Sequence, residues 1–132
     1  MNVPVIAMAM AAGISIDAAL AHGLVGLRRR PRDAVRIAFA LQALAVAAGA
    51  LAIVVMYTAD SAQTHFEVMK WVFFPAELAW TTATMWLVAL YTGVRPLRWL
   101  LALSAGFGAI VVLNLLLPYG VLHRVIGSVR CV

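Results

Sequence analysis

The sequence contains few charged residues. Aspartate, glutamate, lysine and arginine make up 11% of the 132 residues, whereas hydrophobic residues make up 65%. A soluble domain of this length cannot bury so much apolar surface, and helices that are apolar on every side belong in lipid or in a very large core. The composition therefore excludes an ordinary soluble domain and predicts an integral membrane protein.

Cysteine is nearly absent, since Cys131 is the only one in the sequence. A single cysteine excludes an intramolecular disulfide, and no spacing typical of metal ligands surrounds it. The first 20 residues also lack the positive n-region of a signal peptide, and their apolar stretch is too long for an h-region. We therefore expect neither a disulfide framework nor a cleaved leader.

Four long apolar runs are present, each close to the roughly 20 residues that cross the hydrocarbon core of a bilayer. They predict an all-α fold, a single transmembrane domain of four helices. The second run contains a small-residue stretch, residues 45–52, against which a neighbouring helix can pack closely. Ser104 and Gly108 predict a similar packing face in the fourth run. The predicted spans are about residues 3–27, 35–57, 66–91 and 99–117, followed by a short tail at 121–132.

Arginine is concentrated in two connections between these runs. Residues 24–36 contain five arginines, and residues 92–98 contain two. Cytoplasmic loops of membrane proteins are enriched in lysine and arginine, so this asymmetry predicts an N-out/C-out bundle with both termini outside the cytoplasm. The basic pI then reflects topology, and we expect no nucleic-acid partner. A basic loop of this kind also attracts anionic lipid headgroups.

Two carboxylic acids fall inside the predicted spans. Ionisable groups within a membrane are rare and usually functional. Counting about 1.5 Å per residue from the span ends puts Asp17 and Glu77 near the midplane, where they could meet across a helix interface with one of them protonated. They are candidates for sensing a proton, a cation or a polar ligand. The alternative is a protonated acid that forms a hydrogen bond with Gln42 or a threonine.

Four further residues are candidates for ligand or proton sensing. Glu67 and Lys70 share a helix face with Glu77, and we expect a solvated Glu67–Lys70 pair at the outer mouth. Trp80 is too deep for an interfacial aromatic belt, so it either lines a pocket or packs. Asn114 is the polar residue near the end of the fourth span.

Pro75 predicts a kink in the third span. A proline inside a helix leaves backbone carbonyls without their usual donors, and nearby hydroxyl groups can bond them. We expect Thr81, Thr82 and Thr84 to take this role. A kink of this kind is the part of the fold most able to hold two arrangements.

No pattern of catalysis is present. There is no nucleophile–base pair, no phosphate-binding loop and no paired-carboxylate pattern, so we expect a protein that is not an enzyme. His22 and His65 are predicted at opposite ends of the spans, more than about 20 Å apart in depth, and cannot ligate one haem iron. His65 and His123 share one side and leave a metal site as a minor alternative. The sequence predicts no cofactor and no metal.

Several short phrases occur in a recognisable order: HGLVGLRR at 22–29, FAL at 39–41, ALYTG at 89–93 and NLLLPYG at 114–120. Together they resemble the N-terminal multi-helix membrane region of some bacterial sensor histidine kinases and diguanylate cyclases. The resemblance implies a sensory input module in the bacterial inner membrane. Such regions usually continue with further helices and a cytoplasmic output domain, and this sequence ends at Val132 with neither, so the output is expected from elsewhere.

These observations leave three hypotheses of function. The first is a sensory module for an unknown signal ligand, with a pocket between spans one, three and four and a switch at Pro75. The second is a small proton-coupled transporter, a dimer, with Asp17 or Glu77 as the coupling acid. The third is an accessory subunit of a larger membrane complex that docks through its small-residue faces. The expected partners are the lipid membrane and either a second copy or a larger complex.

Overall fold

The computed structural model describes residues 3–29, 31–94 and 96–118. These residues form four helices long and apolar enough to cross a membrane, and the predicted all-helical fold is confirmed for them. The tail predicted at 121–132 lies outside the described residues. The helices are α1 (Val3–Arg28), α2 (Ala34–Thr58), α3 (Ala62–Thr92) and α4 (Leu97–Leu116).

Side-chain caps determine where α2 and α3 begin. The carboxylate of Asp33 accepts a hydrogen bond from the Arg36 N–H at 3.2 Å. The hydroxyl of Ser61 accepts one from the Thr64 N–H at 3.1 Å. Each cap satisfies an amide donor that the first turn of a helix leaves without a backbone partner. Because Ser61 is a cap, α3 begins at Ala62 and not near residue 66, where the apolar run begins.

The connections lie at two ends of the bundle. At one end are the two arginine-rich connections, residues 28–36 and 92–98, and we name this the arginine end. There α3 closes at Gly93, whose φ of 74° is left-handed and suits glycine. The opposite end holds the first residues of α1, the α2–α3 connection and the last residues of α4.

The helices pack in a row: α1 on α2, α2 on α3, and α3 on α4. Within the part of the chain that the structure describes, no Cα atom of α1 lies within 8 Å of α3 or α4. The predicted pocket between spans one, three and four is therefore wrong. Helix α2 separates α1 from α4, while α1 and α3 border cavities that α2 also lines.

Helix α2 packs between α1 and α3 through small residues. Gly26 on α1 is so close to α2 that a Cβ there would lie 3.1 Å from Ile37. Close approach of backbones through small residues is how helices associate in lipid, where no hydrophobic driving force exists between them. The packing role predicted for residues 45–52 is confirmed. The buried residues of α2 are Ala38, Ala40, Ala43, Ala45, Ala47, Gly49, Ala50 and Ala52.

Candidate functional site

Helix α3 contains one π-helical turn, Met69–Phe73, between the α-helical segments Ala62–Val68 and Phe74–Thr92. At this turn the Phe74 N–H donates to the carbonyl of Met69, five residues earlier. Such turns are rare and frequently mark functional sites. This one comes directly before Pro75, and the two features together create an unusual polar site.

Pro75 creates the need for a hydrogen-bond donor from another helix. With the same five-residue spacing, an N–H at position 75 would donate to the carbonyl of Lys70. Proline has no N–H, so this bond is missing. Asn114 of α4 supplies the missing donor, because its Nδ2 lies 2.9 Å from the Lys70 carbonyl oxygen. Asn114 is only 3% exposed. Its amide therefore replaces a backbone hydrogen bond that buried carbonyls require.

The side chain of Lys70 extends to the end of α4. It is 8% exposed, and its Nζ donates to the carbonyl of Leu117 at 2.6 Å and that of Pro118 at 3.5 Å. The same ammonium lies 5.2 Å from the centre of the Trp71 ring. Carbonyls at a helix C-terminus carry the negative end of its dipole, so a cation there is stabilising. We name Lys70, Pro75, Asn114 and Leu117 the Lys70 cluster.

The predicted Glu67–Lys70 pair is wrong. Oε1 of Glu67 accepts a hydrogen bond from Nε2 of Gln63 at 2.7 Å on the exposed first turns of α3. No ion pair of Lys70 is found among the residues described. The ammonium of Lys70 instead donates to the carbonyls of Leu117 and Pro118.

The threonine hydroxyls do not bond the carbonyl that Pro75 frees. That carbonyl belongs to Lys70, which comes before the proline, and each threonine donates to an acceptor after it. The expected role of the threonines is therefore wrong, and their bonds are local to one turn of α3. The acceptors are backbone carbonyls four residues earlier: Thr81 donates to that of Glu77 at 2.9 Å, Thr82 to that of Leu78 at 2.8 Å and Thr84 to that of Trp80 at 2.8 Å.

An apolar groove of about 770 Å³ lies between α2, α3 and α4, and Pro75 is part of its wall. Its size is within the range of small-molecule sites. Ser104 accepts a hydrogen bond from Nε1 of Trp86 at 2.9 Å. Gly108 also lines the groove, and a Cβ there would meet nothing within 4 Å. Of the two residues expected to pack on a neighbour, Ser104 contacts α3 through Trp86, whereas Gly108 leaves the space open.

Glu77 lies in a different and smaller cavity of about 240 Å³ between α1, α2 and α3. Its Oε1 is 3.9 Å from the position that a Cβ would take on Gly49 of α2. Trp80 lines the same cavity and is 41% exposed. Of the two alternatives for Trp80, the structure therefore shows the one that lines a cavity.

The structure does not bring Asp17 to Glu77. The buried residues of α1 recur every seven positions and face α2; they include Ala12 and Ala19. Asp17 comes five residues after Ala12, about 140° around the helix, and is exposed. It therefore faces away from α2, whereas Glu77 lies against α2. Gln42 bonds neither acid in this arrangement, since its Nε2 donates to Oγ1 of Thr84 at 3.0 Å.

The two described histidines, His22 of α1 and His65 of α3, contact opposite ends of α2. The ring of His22 packs edge-on against Phe39, with centroids 4.7 Å apart. Nδ1 of His65 lies 3.4 Å from the carbonyl oxygen of Met56. Phe39 and Met56 are about 25 Å apart along α2 at 1.5 Å per residue, in agreement with the separation expected from the sequence. His123 lies outside the described residues.

No protein-family model, curated protein or solved structure matches this chain. Function must then be argued from the chemistry of the site, because a helical bundle by itself is compatible with many functions.

Proposed function

We propose that this chain is a sensory input module of the bacterial inner membrane, with both termini outside the cytoplasm. The observation that supports it most is the place of Pro75. This residue lines the apolar groove. Because it has no N–H, the Lys70 carbonyl accepts a hydrogen bond from Asn114 instead. A molecule in the groove would touch Pro75 and, through it, would act on the contacts that hold the end of α4. The arginine-rich connections support the orientation, since such loops remain in the cytoplasm.

Helix α4 is the element that would move. Among the described residues its Cα atoms approach only α3 within 8 Å. The contacts between the two helices include the hydrogen bonds of Trp86 with Ser104 and of Asn114 with Lys70. Hydrogen bonds between helices in a membrane contribute only about 0.6 kcal/mol each on average. A ligand with modest preference for a separated α3–α4 pair would therefore shift its population.

The lining of the groove indicates the class of signal. Its walls are mostly apolar, including Leu41, Phe107 and Val111, and the polar groups are the hydroxyls of Thr82 and Ser104 and the indole of Trp86. A charged ligand would lose its hydration there without gaining a counter-ion. The expected ligand is uncharged, lipid-soluble and able to form one or two hydrogen bonds. The signal would leave through the displaced end of α4.

Filling the groove by mutation tests this proposal without a known ligand. Gly108→Phe places a ring in the groove and should move α4, whereas Gly106→Phe on the same helix is the control. A Cβ at either glycine meets nothing within 4 Å, but only Gly108 lines the groove. Spin labels at Tyr57 on α2 and Val112 on α4 report the separation, with Cys131→Ser preventing other labelling. Both labelled positions are more than half exposed.

We expect Gly108→Phe to lengthen the distance between the two labels by several ångströms and Gly106→Phe to leave it unchanged. Dodecanol, an uncharged alkyl probe, should lengthen it in the unmodified chain and have no effect once Gly108→Phe occupies the groove. If neither the ring nor dodecanol changes the distance, the groove does not control α4 and the sensory mechanism is excluded.

Glu77 supports a second candidate function, proton-coupled transport. Glu77 is exposed and lines a cavity bordered by α1, α2 and α3, and acids within membrane spans often carry protons. Proteoliposomes that contain the chain would then show proton flux that Glu77→Gln abolishes. Asp17→Asn is the matched control, because Asp17 faces away from α2. Absence of flux in the unmodified chain would exclude transport.

A further inference from the structure

A second groove, of about 500 Å³, lies at the arginine end between α1, α2 and α3. Its deeper walls are apolar: Phe39 of α2 and Leu87 and Val88 of α3. One helical turn nearer the end, its rim is polar and includes Arg36 and Tyr91. A groove that is apolar at one end and cationic at the other matches an amphipathic, negatively charged ligand.

The charge around this rim is strongly positive. The described residues of 24–36 and 92–98 include five arginines and a single acid, Asp33. Asp33 is shared, since its Oδ2 lies 3.2 Å from Nε of Arg36 and 3.9 Å from Nη1 of Arg29. One carboxylate cannot balance these cations, and a guanidinium offers five N–H donors. Arg36 therefore retains donors for a second anion while Asp33 orients it.

We propose that this groove binds one anionic phospholipid. Its phosphate would lie on the Arg36 guanidinium, and one acyl chain would lie against Phe39, Leu87 and Val88. A free phosphate would leave the apolar walls without a partner, and a zwitterionic lipid would not balance the charge. Basic segments attract anionic headgroups, and tyrosine commonly marks the headgroup level, as Tyr91 does here.

This site is independent of the sensory proposal. It shares no lining residue with the groove of about 770 Å³, which is bordered by α4, whereas this groove is bordered by α1. Failure of either proposal therefore leaves the other intact. A lipid here would contact α1, α2 and α3 together, so we expect it to stabilise that part of the bundle.

Native mass spectrometry of the full chain tests the site directly. The protein is released from mixed micelles that contain phosphatidylglycerol or phosphatidylcholine with identical acyl chains. We expect preferential retention of phosphatidylglycerol, and a loss of affinity that is about tenfold greater in Arg36→Gln than in Arg98→Gln, because a charge-assisted hydrogen bond is lost only in the first. Arg98 is the matched control: it is exposed at the same end and does not line the groove.

A second variant separates binding from folding. Val88→Trp fills the apolar part of the groove and changes no charge, so it should also lose phosphatidylglycerol while its thermal unfolding without lipid stays unchanged. Equal losses in Arg36→Gln and Arg98→Gln would show diffuse attraction and overturn the site. So would full retention in Val88→Trp, equal retention of both lipids, or displacement of the lipid by millimolar inorganic phosphate.

Discussion

The two halves of this bundle are held together in different ways. Helices α1 and α2 meet along a line of mostly small residues, and a Cβ on Gly26 would lie only 3.1 Å from Ile37, closer than ordinary van der Waals contact. Helices α3 and α4 are joined by separated polar contacts, at Ser104 and at the Lys70 cluster. Between those contacts the groove of about 770 Å³ remains open.

This difference has a physical consequence for movement. Interlocked small residues lose their contacts all at once when helices separate, since dispersion forces fall steeply with distance. A few hydrogen bonds can exchange one at a time, and each contributes little in a membrane. The α1–α2 pair therefore serves as a rigid scaffold, and α4 is the part that a ligand can displace.

The largest effect is expected at the α1–α2 contact. Gly26→Leu should destabilise the fold by roughly 3 kcal/mol, because overpacking forces the two backbones apart. Gly13→Leu on the same helix is the control, since a Cβ there meets nothing within 4 Å. Unfolding in mixed SDS micelles, followed by circular dichroism, measures both. Equal destabilisation of the two variants would contradict the scaffold role of α1 and α2.

The Lys70 cluster should give the next largest effect. Asn114→Ala should cost about 1.5 kcal/mol, more than the average of about 0.6 kcal/mol for hydrogen bonds between membrane helices, because it leaves the buried Lys70 carbonyl without a donor. Leu113→Ala, a neighbouring position that is 53% exposed, should cost far less. Restoring an amide with Pro75→Ala should reduce the cost of Asn114→Ala by about 1 kcal/mol in a double-mutant cycle. Strict additivity would mean that Asn114 does not replace the proline's missing N–H.

The fold could be predicted from the sequence because its signals are local. The length of each apolar run and the absence of charge identify a membrane span without knowledge of its neighbours. The predicted start of α3, near residue 66, is too late. The apolar run begins there, whereas the helix begins directly after its cap, Ser61. Caps are readable from sequence, and Ser61 was the available signal.

The Lys70 cluster could not be predicted in the same way. Its contacts join residues 44 to 48 positions apart, and helical spacing reports only which residues share one face. Proximity in sequence favours the threonines as partners of Pro75, whereas the actual donor is on another helix. A single asparagine inside the last turn of an apolar helix was the signal that an interhelical donor was needed.

The face on which Asp17 lies can also be predicted from the sequence. Val5, Ala12, Ala19 and Gly26 are buried at intervals of seven, and small residues at three of these positions already indicate the packed face of α1. Asp17 lies on nearly the opposite side. Two acids at the same depth in the membrane can meet only if each also lies on the face of its helix that packs against the other.

Removal of the lysine charge should have a moderate effect. Lys70→Met keeps an unbranched side chain but cannot donate to Leu117, and should cost about 1 kcal/mol, the size of a partly buried cation–dipole interaction. Glu67→Gln is the control and should change stability by less than about 0.5 kcal/mol, as expected for an exposed group. The same micelle titration measures both. Equal effects would support the Glu67–Lys70 pair that the structure lacks.

The smallest effect is expected at Ser104. Ser104→Ala removes the acceptor of the Trp86 indole and should cost about 0.6 kcal/mol, the average for a hydrogen bond between membrane helices. Thr81→Val is the control, since its hydroxyl bonds within α3 and should contribute almost nothing. Spin labels at Tyr57 and Val112 should show a broader distance distribution in Ser104→Ala. If this variant instead costs as much as Asn114→Ala, then α4 is held at the middle of the groove as firmly as at its end, and displacement would require breaking both contacts together.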